Sequence, residues 1–193
     1  MMTVNEFIAD YIRRWEGGLS LHREDAGNYA SGKAGVGPLI GSKHGVTPGA
    51  LAAYRGVAAT SITAKEMADL TMDEAVAIGR KHYYDGPRFN LLPWNRVTAS
   101  IVDFGWGAGP VQAIKLLQRL VGVADDGKLG PNTARAYATW LEARQAEDWA
   151  AVRLAFYDLI IKRTPANAKF RNGWRNRTDY FKPGGEWWAG FAA

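Results

Sequence analysis

The 193 residues contain no cysteine, which excludes a disulfide framework, a thiolate zinc site and a cysteine nucleophile. Histidine is scarce. His22, His44 and His82 stand apart without the short spacing of a metal site, and no metal or other cofactor is expected. No run approaches the roughly 18 consecutive apolar residues of a membrane span, so stable membrane insertion is not expected. The opening "MMTVNEFIADYIRRWEGG" has no basic segment ahead of an apolar core and does not read as a signal peptide. "GKAGVGPLIG" lacks the strand–loop–helix setting of a phosphate cradle, and no nucleophile elbow is present.

What is there reads as an ordinary globular chain, with 47% hydrophobic and 22% charged residues, long enough to bury a core without staples. The net charge of +5 favours an anionic partner. The tail "KFRNGWRNRTDYFKPGGEWWAGF" interleaves Arg and Lys with aromatics. It suits either contact with an anionic polymer or an amphipathic last helix. Trp187 and Trp188 are read there as sealing the core or edging a cleft. Nucleic acid is not expected as a partner, because only the charge and this tail speak for it; steeply salt-dependent DNA binding would be its mark.

Helices dominate. Val4, Phe7, Ile8, Tyr11, Ile12 and Trp15 recur at three- and four-residue steps, with Gly17 and Gly18 as the stop. Residues 17 to 46 are Gly-rich and lose this period, yet carry enough apolar side chains to be ordered. Thr47, Pro48 and Gly56 bracket the next helix. Thr63 with Glu66 and Thr71 with Glu74 read as capping boxes. A helix from Pro93 falters at Gly105 and Gly107. The next carries Val111, Ile114, Leu117 and Leu120 on one face, with Gly122 as its stop, and another opens at Pro131. Residues 147 to 163 and 166 to 181 complete a total of about eight. The fold class is mainly α: a helical body with a small Gly-rich irregular or β lobe.

Two carboxylates stand out. Glu16 follows an apolar helix face directly, so partial burial would favour its protonated form, as a general acid needs. Asp25, on a polar Gly-rich segment, would stay ionised. Such a pair suits glycosidic-bond cleavage. The plainer alternative is a solvated helix-end charge and a turn former.

"WEGGLS…DAGN…SKHGVT…LAAYRG" resembles the N-terminal signature of glycoside hydrolase family 108, the phage and bacterial N-acetylmuramidases. Glu16, Gly17, Gly18, Asp25, Gly27, Gly45, Val46, Thr47, Tyr54, Arg55 and Gly56 fall on it, over roughly residues 3 to 90. The resemblance implies a lysozyme-like fold and hydrolysis of the β-1,4 bond between N-acetylmuramic acid and N-acetylglucosamine. Glu16 would be the acid, and Asp25 and Ser42 would position water or stabilise the transition state. Asn28, His44, Thr47, Tyr54 and Trp106 are the expected substrate contacts. Ser42 stands where the family usually has Thr, so Ser31 and Thr47 remain competitors, and His44 replaces the usual aromatic. "ADDGKLGPNT", with Asp126, Gly127, Gly130, Pro131 and Thr133, resembles the core of the peptidoglycan-binding domain that follows such hydrolases; read plainly, it is a turn into a helix. The expected division is a catalytic region over 1–92 and a helical region over 93–193, packed as one compact unit.

The expected partner is the glycan strand of peptidoglycan, and the expected state a monomer. A phage-type endolysin would be made in the host cytoplasm and reach the periplasm through a separate membrane lesion. The competing reading is a non-catalytic peptidoglycan-binding or assembly protein on the same scaffold.

Overall fold

The computed structural model describes residues 2–143, 146–182, 184 and 185; Trp187 and Trp188 lie outside them. The fold is mainly α and lysozyme-like, with nine α-helices and only isolated β-bridges among the described residues. The chain divides into two compact units, one over Thr3–His82 and one from Tyr83 on, to which Met2 also belongs.

The first unit begins with helix α1 (Val4–Trp15). Thr3 and Glu6 close a capping box at its start: the Thr3 N–H donates to the Glu6 carboxylate at 2.7 Å and the Glu6 N–H to the Thr3 hydroxyl at 3.3 Å. Phe7, Ile8, Tyr11 and Ile12 are buried, while Trp15, expected on the same face, is 40% exposed. Helices α2 (Pro48–Arg55), α3 (Ala64–Asp69) and α4 (Met72–Arg80) follow, and α1 packs on α4.

Thr63 and Glu66 form the expected capping box, but Thr71 and Glu74 form half of one. The Thr71 hydroxyl accepts from the Glu74 N–H, whereas the Glu74 carboxylate turns to Arg55, at 2.7 and 3.0 Å. Arg55 also reaches Glu66 at 3.1 Å, so one guanidinium ties α2 to both following helices. A two-pronged charged bond wins over a backbone N–H that water can also serve.

The second unit holds α5 (Arg96–Ala108), α6 (Pro110–Leu120), α7 (Pro131–Ala143), α8 (Ala146–Arg163) and α9 (Arg171–Asp179). Helix α5 does not break at Gly105 or Gly107; it runs to Ala108. Gly105 is buried, and a Cβ there would lie 3.4 Å from the Ala113 Cβ and 3.5 Å from the Pro110 Cα, so this glycine permits close approach of α6. The buried side of α6 centres on Ala113, Ile114, Leu116 and Leu117; Val111, expected inside, is 59% exposed. The stretch expected as one helix over 166–181 is a 3₁₀ segment, Pro165–Phe170, followed by α9.

The centre of this unit is charged. Asp103 and Arg153 are fully buried and meet at 2.6 Å, and Arg177 joins the same carboxylate at 2.9 and 3.1 Å. Arg153 also donates to the Ser100 hydroxyl at 3.3 Å and lies over the Phe104 and Tyr157 rings. One carboxylate therefore binds two guanidinium groups, on α8 and α9. Asp103→Asn would leave the buried Arg153 without this counter-charge, and unfolding in urea should show a loss of about 3–5 kcal/mol. A loss below ~1 kcal/mol would mean that water or other groups already serve the arginines.

Candidate active site

Glu16 is the C-cap of α1. Its backbone is extended (φ −106, ψ 130), and its N–H still bonds the Ile12 carbonyl at 3.0 Å. The helix thus ends at Glu16 itself. Neither Gly17 nor Gly18 holds a left-handed φ, and a Cβ on either would meet nothing within 4 Å. The helix stops at Glu16, just before the glycine pair, and the chain bends at Glu16 and again at Gly18. Its side chain is half-buried.

The glycine that matters at Glu16 is distant in sequence. Lys43 and Val46 exchange backbone bonds at 3.0 and 2.8 Å around His44 (φ 54) and Gly45 (φ 74). Two consecutive left-handed residues are what a two-residue type I′ hairpin turn requires. Glycine accepts this freely, and histidine is among the side chains that tolerate it better than most. The His44 N–H bonds the Gly17 carbonyl at 3.2 Å, which fastens the turn to the residue after the acid. The Gly45 Cα then faces the Glu16 carboxyl: a Cβ would stand 3.0 Å from Cγ, Cδ and Oε2 of Glu16. Partial burial and the Lys43 charge both lower the His44 pKa, against the pull of the Gly17 carbonyl, so the imidazole favours its neutral form.

The Gly-rich lobe is built around Asn28 rather than a sheet. The Asn28 carbonyl accepts from both the Ile40 and Gly41 N–H groups at 2.9 Å, and its side-chain amide donates to the His22 carbonyl at 3.0 Å. Ser20 and Ser42 pair as an antiparallel bridge at 2.7 and 3.0 Å, and Tyr29 pairs with Leu39. Asn28 is 0% exposed, so the position expected to touch substrate acts from inside, holding three segments together.

Asp25 is exposed at the head of a 3₁₀ turn, Ala26–Asn28, where its carboxylate accepts from the Gly27 N–H at 2.8 Å. A Cβ on Gly27 would stand 3.1 Å from both the Asp25 carboxylate and the Thr47 methyl, so this turn sits beside the start of α2. Asp25 opens on a depression of about 540 Å³ that it shares with His22, Arg23 and Glu24.

The three competing hydroxyls differ in their commitments. Ser31 donates to the Val36 carbonyl at 2.7 Å and accepts from the Lys33 N–H, so it belongs to its own loop. Thr47 accepts from the Ala50 N–H at 3.2 Å as the cap of α2. Ser42 is half-buried, and its hydroxyl has no hydrogen-bond partner among the described residues. Tyr54, half-buried on α2, lies under the Lys81 ammonium at 5.2 Å. Trp106 belongs to the second unit, where it stacks on Tyr83 with ring centres 4.1 Å apart and planes at 15°. Tyr83 was not singled out from the sequence; its only signal was the adjacent pair "YY" before a turn.

The model of the Glycosyl hydrolase 108 family matches residues 9–109, and that of the Predicted Peptidoglycan domain matches residues 112–179. Among solved structures the chain is similar to "Structure of Brucella abortus SagA", at 25% identity and a TM-score of 0.65, over 95% of this chain and 92% of that one. No curated protein matches.

The contact between the turn and the acid makes two glycines behave oppositely. Gly45→Ala should cost at least ~1 kcal/mol, since alanine resists φ 74 and its methyl displaces the Glu16 carboxyl. Gly17→Ala should stay within about 0.5 kcal/mol of the parent. Urea titration of both variants checks this, and equal costs would contradict it.

Proposed function

The chain belongs to the glycosyl hydrolase 108 family, with a predicted peptidoglycan domain behind the hydrolase match, and from that premise we propose that it is an N-acetylmuramidase. Its role is that of a peptidoglycan hydrolase; the finer reading is cleavage of the β-1,4 bond between N-acetylmuramic acid and N-acetylglucosamine. The observation that carries this reading is the Glu16 carboxyl held at a helix end against the Gly45 backbone. A proton donor to a glycosidic oxygen needs a fixed direction and partial shelter from water, and both come from that contact.

Glu16 would protonate the departing oxygen as the sugar develops oxocarbenium character. Asp25, at the edge of its depression, would stabilise that charge or activate a water. Ser42, with its hydroxyl uncommitted, would orient the water; Ser31 and Thr47 are occupied elsewhere. A separation of about 6.5–9.5 Å between the two carboxyl groups in the substrate complex would go with inversion, and about 5–5.5 Å with retention. His44 and Tyr54 would offer ring faces and polar edges to the glycan, and Asn28 would support them from within. Trp106 on Tyr83 would give the second unit an aromatic platform for a sugar ring.

No helix among the described residues is long and apolar enough to cross a membrane. The proposal includes an endolysin's course: synthesis in the cytoplasm, then access to the wall through a lesion made by a separate factor.

Glu16→Gln keeps the shape and removes the acid. Lysis of purified cell walls by this variant should fall by about 10²–10⁴-fold, the usual contribution of a positioned general acid. Wild-type rates from a folded Glu16→Gln protein would overturn the assignment. Binding of walls by the wild type without any lysis would favour a non-catalytic peptidoglycan-binding role.

A further inference from the structure

We propose that the pocket at the start of α7 binds a carboxylate of the peptidoglycan stem peptide, held by Arg88 and Lys128. This rests on the reading that peptidoglycan is the partner. It assigns to the second unit the peptide rather than the sugar part of that polymer.

The pocket has a volume of about 580 Å³, and its walls include Arg88, Gln118, Asp126, Lys128, Asn132 and Thr133. That volume lies within the usual range for small-molecule sites. The walls are held from below by Gln118, which is 1% exposed. Its amide nitrogen donates to Asp126 at 2.8 Å, to the Lys128 carbonyl at 3.1 Å and to the Thr133 hydroxyl at 3.3 Å. Its oxygen accepts from the Gly127 N–H at 2.9 Å. A single buried amide therefore shapes the whole "ADDGKLGPNT" segment, which is more than a plain connector needs.

The charges then sort by commitment. Asp125 pairs with Arg119 at 2.6 Å. The Asp126 carboxylate accepts from the Lys128 N–H at 2.9 Å as well as from Gln118, and these bonds hold its pKa below the usual carboxylate range. Both acids are thus engaged within the loop. Arg88 and Lys128 have no ion-pair partner among the described residues, and both line the pocket. Beside them α7 opens with Pro131; the N–H groups of Asn132 and Thr133 precede its first backbone bond, from Ala134 to Gly130 at 3.0 Å. The Lys128 charge also acts through space on Asp126, without an ion pair. Two cations that form no ion pair among the described residues, next to the positive end of a helix, suit an anionic group.

The apolar part of the wall discriminates further. Val123, Leu129 and Pro131 offer small aliphatic surfaces, and no aromatic side chain lines the pocket among the described residues. A sugar ring is better served by a flat aromatic face, such as Trp106 on Tyr83. Alanine methyls and carboxylates, which alternate along a stem peptide, match a wall of aliphatic groups and cations.

The test is titration of the full-length protein with a synthetic stem tetrapeptide, L-Ala–γ-D-Glu–diaminopimelate–D-Ala, and with its amidated counterpart, followed by calorimetry and by the amide resonances of Gly127 and Thr133. The acid peptide should bind and shift these resonances. Amidation, Arg88→Gln or Lys128→Gln should each weaken binding about tenfold, the loss of one charge-assisted bond, and Lys128→Arg should restore it. Equal binding of the acid and amide forms overturns the proposal, as does unchanged binding by folded glutamine variants. So does a shift of the same resonances by a peptide-free glycan oligomer instead. Release of reducing ends from cell walls, measured in parallel, separates the two readings. A protein that cleaves walls but ignores the peptide refutes this site alone, and one that binds the peptide without cleaving refutes the hydrolase reading alone.

Discussion

The Glu16 carboxyl and the Gly45 Cα occupy neighbouring space, and most of the first unit can be understood as the means of keeping them there. On one side, α1 must end with Glu16 extended, which the capped and apolar-faced helix packed on α4 achieves. On the other, the chain must return through a turn with two left-handed residues, pinned by His44 to the Gly17 carbonyl. A side chain at position 45 would push into the carboxyl, so the pairing of acid and glycine is a steric constraint. The bridge between Ser20 and Ser42 carries the same connection one step further and brings Ser42 alongside the segment leaving the acid.

Each unit relies on one buried polar residue to shape an otherwise irregular stretch. Asn28 gathers the segments around Ile40 and His22 through its backbone carbonyl and its side-chain N–H, and the Gln118 amide gathers the loop between α6 and α7. Such stretches have no ladder of backbone bonds to define them, so a fully buried residue bonding several segments takes that part. Asp103 has the corresponding position among charges, joining helices through two arginines. These contacts are costly to leave half-made, which makes the units specific as well as stable.

The local features were legible in the residues. Helix α1 spans Val4 to Trp15 as its apolar period predicts, Thr47 and Pro48 open α2, and Gly56 closes it with φ 71. The non-local ones were not. Gly105 reads as a breaker until α6 is seen packed on it, and the partner of Glu74 cannot be read from spacing because Arg55 is 19 residues away. In the candidate site the pattern pointed to Glu16, Asp25 and Ser42, but not to the burial of Asn28, the approach of Gly45 to Glu16, or the stacking of Tyr83 on Trp106. Periodicity and caps are properties of a few adjacent residues. Which hydroxyl is already occupied depends on bonds that form only once the lobe has closed.

The chemistry assigned to Glu16 requires that water, not an internal hydroxyl, complete the reaction at the muramic acid carbon. Mass analysis of peptidoglycan digested by the purified protein tests this most directly. Fragments ending in reducing N-acetylmuramic acid are the predicted product. Anhydro-muramic ends would mean that no water is added, and free peptides would place the cleavage outside the glycan altogether; either would contradict a hydrolytic muramidase built on Glu16.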